Sequence, residues 1–393
     1  MTRDNIIKAL DKFPTPLYVF EAEKLTDRVD YLKKSLPSGV SLCYAVKANT
    51  FVVKELIGHV DRFEICSPGE AYICDAQAVP RAEMVISGVY KDPHFIEELF
   101  AKGEKVGHFT AESKEQFELI RFLSEKYKIK TKLLLRLSSG NQFGMDNSVL
   151  CEIIKNRSEY EYLDICGVQY FSGTQKTSIK KLRREIRQLD NLITKLRSDF
   201  DYDCRELEIG PGFPACYFPE DEFDEDELLR GFSEALNEME NRPKISLELG
   251  RSIAASCGSF LTRIVDKKTN CCENYAIVDG GIHQLVYFGQ MMAMKKPYHS
   301  LYPERQGEPT PYNICGALCT TADILVKQLP LICPEIGDAI IFENTGAYSV
   351  TEGISLFLSR DLPTVVILEK DGKFTCVREA MPTHPINNSN YGG

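Results

Sequence analysis

The stretch LCYAVKANT, residues 42–50, is an apolar run with high β propensity that reaches Lys47 and continues into small and polar residues. A lysine is rarely fully buried unless its ammonium has a partner. One interpretation is a surface lysine whose aliphatic stem lies along the strand while the ammonium reaches water. The other is a desolvated amine kept for Schiff-base chemistry. Lys47 alone does not distinguish the two, so the surrounding pattern has to decide.

The run that contains Lys47 is the first of eight strand-like segments. In chain order they are VSLCYAVK (40–47), DRFEICS (61–67), EMVISGV (83–89), KVGHFTA (105–111), TKLLLRLSS (131–139), YLDICGVQYF (162–171), ELEIGPGF (206–213) and KISLELGR (244–251). The segments between them carry apolar residues at three- and four-residue spacing, as amphipathic helices do, and Ser113 is the expected N-cap of one. This alternation predicts an α/β fold, a (β/α)8 TIM barrel. A doubly wound sheet competes, but no GxGxxG follows the first strand.

After about residue 255 the pattern changes to strands joined by Gly, Asp and Pro turns, with little helix. The Asp371–Gly372 pair marks a hairpin within this region. We therefore expect a cofactor-binding barrel over 21–255, followed by a C-terminal all-β domain, a barrel or sandwich, over 256–393. The strand-like PLYVF (16–20) precedes the barrel and is expected to pair with the β domain, which then includes residues 1–20.

Length and composition limit the classes of function. A chain of 393 residues with 43% hydrophobic and 26% charged residues is globular and large enough for two domains. Its net charge of −10 argues against a nucleic-acid partner, which needs a basic face. The N-terminus lacks a signal-peptide pattern, and no stretch is long and apolar enough for a transmembrane helix. We expect a cytoplasmic protein without a membrane partner.

Cysteine and histidine usage predicts neither disulfides nor a metal site. None of the fourteen cysteines forms a CxxC pair, so reduced and mostly buried thiols are expected. The six histidines form no HExxH-type cluster, so no metal is expected.

In a TIM barrel the chemistry lies at the C-terminal ends of the strands. The residues at those ends offer an amine, hydroxyls, a glycine-rich turn, a carboxylate and two guanidiniums: Lys47, Ser67, Gly88, Thr110, Ser113, Arg136, Phe171, Thr174, the GPG of 210–212, Glu248 and Arg251. GPG alone is more often just a turn, but after strand seven it suits a phosphate. A phosphate site facing Lys47 indicates pyridoxal 5′-phosphate (PLP). Its aldehyde would join Lys47, and its protonated ring nitrogen would bond Glu248.

Several motifs occur in the order found in one enzyme family. They are YAVKAN (44–49) for the cofactor lysine, CSPGE (66–70) for the second strand, GVQYFSGTQ (167–175) for an HxGSQ segment, IGPGF (209–213) for the phosphate turn, ELGR (248–251) for EPGR, CGALCTTAD (315–323) for GPxCxxxD and NTGAYS (344–349) for GAY. Over nearly its whole length the chain resembles the fold-type III PLP-dependent decarboxylases, the ornithine/diaminopimelate decarboxylase family.

The resemblance implies roles for individual residues. The catalytic residues would be Lys47 and Cys319, the latter protonating the carbanion after CO2 leaves or guiding the substrate carboxylate. The implied cofactor-binding residues are Lys47, Glu64, Arg136, Phe171, Thr174, Gly210, Gly212, Glu248, Gly250, Arg251 and Tyr348, and the implied substrate-binding residues are Thr320, Arg251 and Tyr287. Cys319 and Tyr348 would reach the partner's cofactor, because the family's active site is shared across a head-to-tail homodimer. Alternatively, Cys319 is one more buried thiol.

The chain departs from the family pattern at positions that bear on the substrate. Phe171 stands where a histidine normally stacks on the cofactor ring, and Gln169 replaces an earlier histidine. Glu64 stands where an aspartate is usual. Thr320 stands where diaminopimelate and ornithine decarboxylases carry an acidic residue for the substrate's distal ammonium, and a hydroxyl cannot neutralise a desolvated ammonium.

The predicted reaction is therefore removal of the α-carboxylate of an amino acid, or of a conjugated or carrier-protein-tethered amino acid, in the biosynthesis of specialised metabolites. The methionine-rich segment 280–300 would line the route of such a substrate, or its methionines merely fill the core. The alternatives are diaminopimelate decarboxylase of lysine biosynthesis, an amino-acid racemase, and a catalytically silent PLP-binding homologue. The racemase shares the barrel and the lysine, but it pairs the ring nitrogen with an arginine.

Overall fold

The computed structural model describes residues 1–103 and 105–389. The chain folds into two compact units. Of the described residues, the first unit comprises those within 26–214 and 223–253, and the second comprises 1–25, 215–222 and 254–389. Residues 215–222, which lie inside the barrel boundaries proposed from the sequence, are part of the second unit.

Within the described residues there are seventeen strands. Numbered along the chain, they are β1 (Leu17–Glu21), β2 (Ser41–Ala45), β3 (Arg62–Ile65), β4 (Met84–Ile86), β5 (His108–Ala111), β6 (Thr131–Leu137), β7 (Leu163–Phe171), β8 (Glu206–Gly210), β9 (Lys244–Leu249), β10 (Gly258–Asn270), β11 (Glu273–Val278), β12 (His299–Tyr302), β13 (Thr310–Cys315), β14 (Ile324–Leu331), β15 (Ala339–Glu343), β16 (Thr364–Leu368) and β17 (Phe374–Arg378).

The same residues contain ten α-helices. They are α1 (Arg3–Lys12), α2 (Ala22–Ser35), α3 (Val53–Leu56), α4 (Pro68–Ala76), α5 (Pro93–Ala101), α6 (Lys114–Tyr127), α7 (Asn147–Lys155), α8 (Ile179–Phe200), α9 (Glu225–Asn237) and α10 (Arg251–Ala254). Among the described helices, none combines the length and the apolarity needed to cross a bilayer.

The first unit is a closed barrel formed by β2 to β9, in which every neighbouring pair of strands is parallel. This confirms the TIM-barrel prediction. The register places Cys43 opposite Glu248 between β2 and β9, and Gln169 opposite Glu208 between β7 and β8. Because paired residues point to the same side of a sheet, the register keeps Gln169 and Glu208 on one face.

The barrel helices begin where the sequence supplies N-caps. Ser113 accepts the backbone N–H of Gln116 at the start of α6, as the sequence predicts, and Ser67 caps α4 in the same way. Such a cap contributes about 1 kcal/mol. The longest helix, α8, buries one apolar face made of Leu182, Ile186, Leu189, Ile193 and Leu196. This spacing of three and four residues is what packs a helix against the outside of a barrel.

The second unit is mostly sheet, as predicted for the C-terminal region. Its strands follow the order β14-β13-β11-β10-β1-β16-β17, and β15 pairs with β10 and with β12. The N-terminal β1 pairs antiparallel with β10 and parallel with β16. β16 and β17 form an antiparallel hairpin across Asp371–Gly372, with Gly372 at φ +83°. The core of this unit includes Leu17, Val19, Leu261, Ile341 and Val366.

Candidate active site

Lys47 lies in the 3₁₀ turn Val46–Ala48, immediately after β2 rather than within the strand. Its side chain is 38% exposed, and its ammonium forms ion pairs with Glu64 and Glu248. The distance from Nζ to Oε1 of Glu248 is 3.4 Å, and the Sγ of Cys66 lies 3.5 Å from Nζ. The amine is thus paired with carboxylates from two other strands at the C-terminal end of the barrel. This arrangement favours the functional interpretation over a lysine that only extends into water.

Three buried carboxyl groups lie on the interior of the barrel, those of Glu64, Glu208 and Glu248. Gln169, which is fully buried, donates from Nε2 to Oε1 of Glu208 and to Oε2 of Glu248, at 3.1 Å each. Its own Oε1 is buried and has no hydrogen-bond partner within residues 1–103 and 105–389. The glutamine therefore connects two carboxyl groups from adjacent strands.

Burial gives these carboxyls different proton affinities. Burial, together with the charge of Glu64, raises the pKa of Glu248 to about 8. Burial also raises the pKa of Glu208 to about 7. For Glu64 burial acts in the same upward direction, but the neighbouring Lys47 ammonium outweighs it and lowers the pKa. The Lys47 ammonium therefore makes Glu64 the more acidic of the two carboxyls that it contacts, whereas burial makes Glu248 the more basic.

A glycine turn after β8 lies against the loop that follows β7. Gly212 has φ +67°, and a Cβ at this position would lie 2.0 Å from the carbonyl oxygen of Gly173. Only glycine allows the two backbones to approach this closely. In the same place Nε of Arg251 donates to Oγ1 of Thr174 at 3.3 Å. Gly212, Thr174 and Arg251, three of the residues expected at a phosphate, are thus brought together.

Four further barrel residues were predicted for the site, namely Gly210, Phe171, Gly250 and Arg136. A Cβ on Gly210 would lie 2.4 Å from Cδ2 of Phe171, so this glycine leaves room for the phenyl ring. Gly250 connects β9 to α10 and accepts the N–H of Ile253 at 3.1 Å. The guanidinium of Arg136 is engaged by the buried Glu112, with Nη1 2.8 Å from Oε1.

These residues fit PLP. The Lys47 amine can condense with an aldehyde, and the buried Glu248 carboxyl can accept a hydrogen bond from a protonated ring nitrogen. A glycine turn that a Cβ would block, beside a guanidinium, suits a phosphate. The unpartnered Oε1 of Gln169 is a further acceptor inside the same barrel.

Four predicted residues belong to the second unit. Cys319 is exposed, which contradicts the alternative of a buried thiol. Thr320 accepts the backbone N–H of Ala322 on Oγ1 at 3.3 Å. Tyr287 is buried, and its hydroxyl donates to the carbonyl of Glu343 at 2.6 Å. Tyr348 has φ +67°, a conformation that is uncommon outside glycine and holds the GAY turn in a defined shape.

Glu208 lies in the site but in none of the quoted motifs, whereas Cys66 and Asp323 belong to the CSPGE and CGALCTTAD motifs and were given no role of their own. The two-residue period of β8 places Glu208 on the same face as Gly210, a signal that was readable in advance. Asp323 is buried and accepts the N–H groups of Leu318 at 2.7 Å and Ile282 at 2.9 Å. Its carboxylate therefore fixes the turn that carries Cys319. The sequence holds no comparable signal for the backbone partners of Asp323.

The barrel, the lysine and the phosphate-type turn define a PLP enzyme of fold type III. A family model described as "Pyridoxal-dependent decarboxylase, pyridoxal binding domain" matches residues 22–255, more than half of the chain. The chain belongs to this family, the ornithine/diaminopimelate decarboxylases, which confirms the resemblance drawn from its motifs.

Curated relatives and solved structures agree with this assignment. Diaminopimelate decarboxylase of Aquifex aeolicus is 27% identical over 357 residues, covering 86% of this chain and 82% of that protein. L-glutamyl-[BtrI acyl-carrier protein] decarboxylase of Niallia circulans is 23% identical over 407 residues, covering 95% of this chain and 93% of that protein. The crystal structure of diaminopimelate decarboxylase from M. jannaschii in complex with L-lysine shares the fold, with a TM-score of 0.86 at 22% identity, over 99% of this chain and 94% of that one.

Proposed function

We propose that this PLP-dependent decarboxylase removes the α-carboxylate of an amino acid whose side chain is conjugated, for example to a carrier protein, in the biosynthesis of specialised metabolites. The observation that carries the reaction is the pairing of Lys47 with the buried Glu64 and Glu248 at the C-terminal end of the barrel. The observation that carries the substrate class is the neutral Thr320 beside Cys319.

Each barrel residue has a task in this reaction. When bound, PLP supplies the electron sink for the charge left at Cα after CO2 departs. Lys47 holds the cofactor through Nζ, and the ionised Glu64 orients that nitrogen. The buried Glu248 carboxyl would accept a hydrogen bond from the protonated ring nitrogen, which keeps the ring able to take up charge. Gly212, Thr174 and Arg251 would bind the phosphate, and Gly250 joins β9 to the helix that begins with Arg251. Gly210 leaves room for the ring of Phe171, which would cover the cofactor ring.

The residues of the second unit complete the proposal. Cys319 delivers a proton from Sγ to the substrate Cα, and its exposure in a single chain supports this role. We propose that Cys319 and Tyr348 act in the site of a partner subunit, so that the enzyme is a homodimer with shared active sites. The same unit leaves a run of apolar side chains exposed, among them Ile354, Leu356 and Leu358, which supports burial against another chain.

The substrate class follows from charge. A distal ammonium beside Thr320 meets a hydroxyl rather than a carboxylate, and an unpaired desolvated charge is costly. The relative from Niallia circulans acts, by its name, on a glutamyl group attached to an acyl-carrier protein, which carries no distal ammonium. Diaminopimelate is the second candidate substrate, because the Aquifex aeolicus relative is named for it.

The test is release of CO2 from two kinds of substrate by the purified, PLP-loaded protein. One set contains free L-glutamate, L-ornithine, L-lysine and meso-diaminopimelate, and the other contains the L-glutamyl thioester of an acyl-carrier protein. We expect a higher kcat/KM for the thioester and no CO2 from the Lys47→Ala variant. CO2 from diaminopimelate alone would establish the second candidate. Inversion at Cα without CO2 would establish the racemase.

A further inference from the structure

The second unit contains an apolar cavity that the reaction described above does not use. Its volume is about 470 Å³, within the range of small-molecule sites. Two stretches of chain form its walls, residues 282–297 and 321–327, and Phe342 contributes a further side chain. The first stretch is the methionine-rich segment, and the second follows Cys319 directly.

The polar groups of the cavity wall are mostly engaged within the protein. The hydroxyl of Tyr287 donates to the carbonyl of Glu343, and the amide of Gln290 bonds to both the carbonyl and the N–H of Lys295. Thr321 and Lys327 are the other polar residues of the lining. Among the described residues no carboxylate lines the cavity, and Lys327 is its one charged side chain.

This lining selects the chemistry of a ligand. A ligand ammonium in the cavity would be desolvated, would find no counter-charge and would be repelled by Lys327. An uncharged chain fits the apolar walls, and an anion at its far end is attracted by Lys327.

The cavity begins next to the proposed catalytic thiol. Thr321 lies two residues from Cys319, so their Cα atoms are at most about 7 Å apart. The turn between them is closed by bonds from Ala322 N–H to Oγ1 of Thr320 at 3.3 Å and from Asp323 N–H to the carbonyl of Thr320 at 3.2 Å. A substrate whose reacting carbon lies at Cys319 can therefore extend its side chain into the cavity of the same chain.

The wall formed by residues 282–297 is a loop with a defined backbone conformation, and its methionines do not pack into the core. Met292 and Ala293 both have positive φ, +51° and +59°, and the carbonyl of Ala293 accepts the N–H of Lys327 at 2.8 Å. Met292 is 79% exposed although it lines the cavity, so its thioether is available to a ligand. The interpretation that these methionines fill the core is wrong for Met291, Met292 and Met294, which are all exposed.

We propose that this cavity is the binding site for the distal arm of the substrate, and that the arm is an uncharged chain of aliphatic and amide groups ending in an anion, the chemistry of a phosphopantetheine thioester. The inference rests on the proposed function, since it names what the amino acid is conjugated to. It also explains why the enzyme needs no acidic residue after Cys319.

Binding of two probes to the PLP-loaded protein, 4′-phosphopantetheine and pantetheine, tests the proposal by titration calorimetry. Ile324→Trp places a larger side chain in the cavity and should weaken both probes about tenfold or more. Its control is Ile336→Trp, at a side chain 63% exposed and outside the cavity, which should leave both affinities unchanged. Lys327→Glu should weaken only the phosphorylated probe, by roughly three- to fivefold, whereas Lys296→Glu in the neighbouring segment should not.

The same variants separate this proposal from the reaction itself. If Ile324→Trp raises the KM for the carrier thioester and leaves its kcat unchanged, the cavity binds the arm. If the unmodified enzyme decarboxylates the thioester but neither probe binds, or Ile324→Trp changes neither probe affinity nor KM, the cavity proposal is overturned while the reaction stands. If the unmodified enzyme releases no CO2 from any conjugate, the proposed function is wrong, and the cavity proposal that rests on it is overturned as well.

Discussion

Nε2 of Gln169 lies 3.1 Å from Oε2 of Glu248 and 3.1 Å from Oε1 of Glu208, so one amide group joins two buried carboxyls inside the barrel. A primary amide has two N–H bonds, one for each carboxyl. Two buried carboxyls this close resist simultaneous ionisation. The amide donates to both carboxyls and so favours their ionised forms, whereas burial raises the pKa of both groups and acts in the opposite direction.

The Glu208 carboxyl should make stability depend on pH. Its folded-state pKa is raised to about 7 by burial, whereas an unfolded glutamate has a pKa of about 4.5. Its contribution is therefore fully present below about pH 4.5 and is lost as pH rises through about 7. The measurement is the Tm of cofactor-free Glu208→Gln minus the Tm of the cofactor-free unmodified protein. We expect this difference to increase as the pH is raised from about 5 to about 8, because the unmodified protein loses the contribution of Glu208 over that range. The exposed control Glu115→Gln should show a constant difference, and a constant difference for Glu208→Gln would contradict the burial argument.

Lys47→Ala should abolish both covalent cofactor binding and decarboxylation, because no other group supplies the amine at the end of β2. The measurement is the visible absorbance of a lysine-bound pyridoxal, followed by CO2 release. Lys54→Ala, at an exposed lysine of α3, should keep both. A coloured and active Lys47→Ala protein would remove the basis for placing the cofactor in the barrel.

Glu248→Gln should lower kcat by about a hundredfold or more while the cofactor stays bound, since glutamine keeps the shape of the side chain but has no carboxylate to pair with a protonated ring nitrogen. Single-turnover CO2 release at matched cofactor occupancy measures the effect. An unchanged kcat would show that the ring nitrogen is served by another group.

Gly212→Ala should reduce cofactor retention, because a Cβ there meets the carbonyl oxygen of Gly173 at 2.0 Å. Gly140→Ala is the matched control, since Gly140 also has positive φ, +94°, but a Cβ there meets no atom within 4 Å among the described residues. Both variants carry about 1 kcal/mol of backbone strain. Only Gly212→Ala should release PLP on dilution, measured by equilibrium dialysis, and equal retention in the two variants would mean that the turn does not bind the phosphate.

Thr320→Glu should increase activity on ornithine or diaminopimelate, because it supplies the carboxylate that a distal ammonium requires. The neutral variant Thr320→Gln controls for side-chain size and should show no gain. The measurement is kcat/KM for ornithine and for diaminopimelate, compared between the unmodified protein and the two variants. If neither variant gains activity, the residue after Cys319 does not set the charge preference.

The sequence by itself determined the fold and the ordered set of motifs. Eight strand-like runs alternating with amphipathic helices predicted the barrel, and the change of pattern near residue 255 predicted the sheet-rich unit. These features are local, since the two-residue and 3.6-residue periods and the turn residues are written along the chain. For the same reason Lys47, Gly212 and Glu248 were identifiable in advance as members of motifs.

Only the tertiary structure decided which groups meet. Glu64 and Glu248 are 184 residues apart in sequence, yet both pair with Lys47, and Gln169 reaches carboxyls on two strands. The proton affinities follow from burial and from the distances between charges, which no local pattern encodes. The apolar cavity beside Cys319 likewise depends on how 282–297 packs against 321–327, since a cavity is defined by the approach of segments distant in sequence.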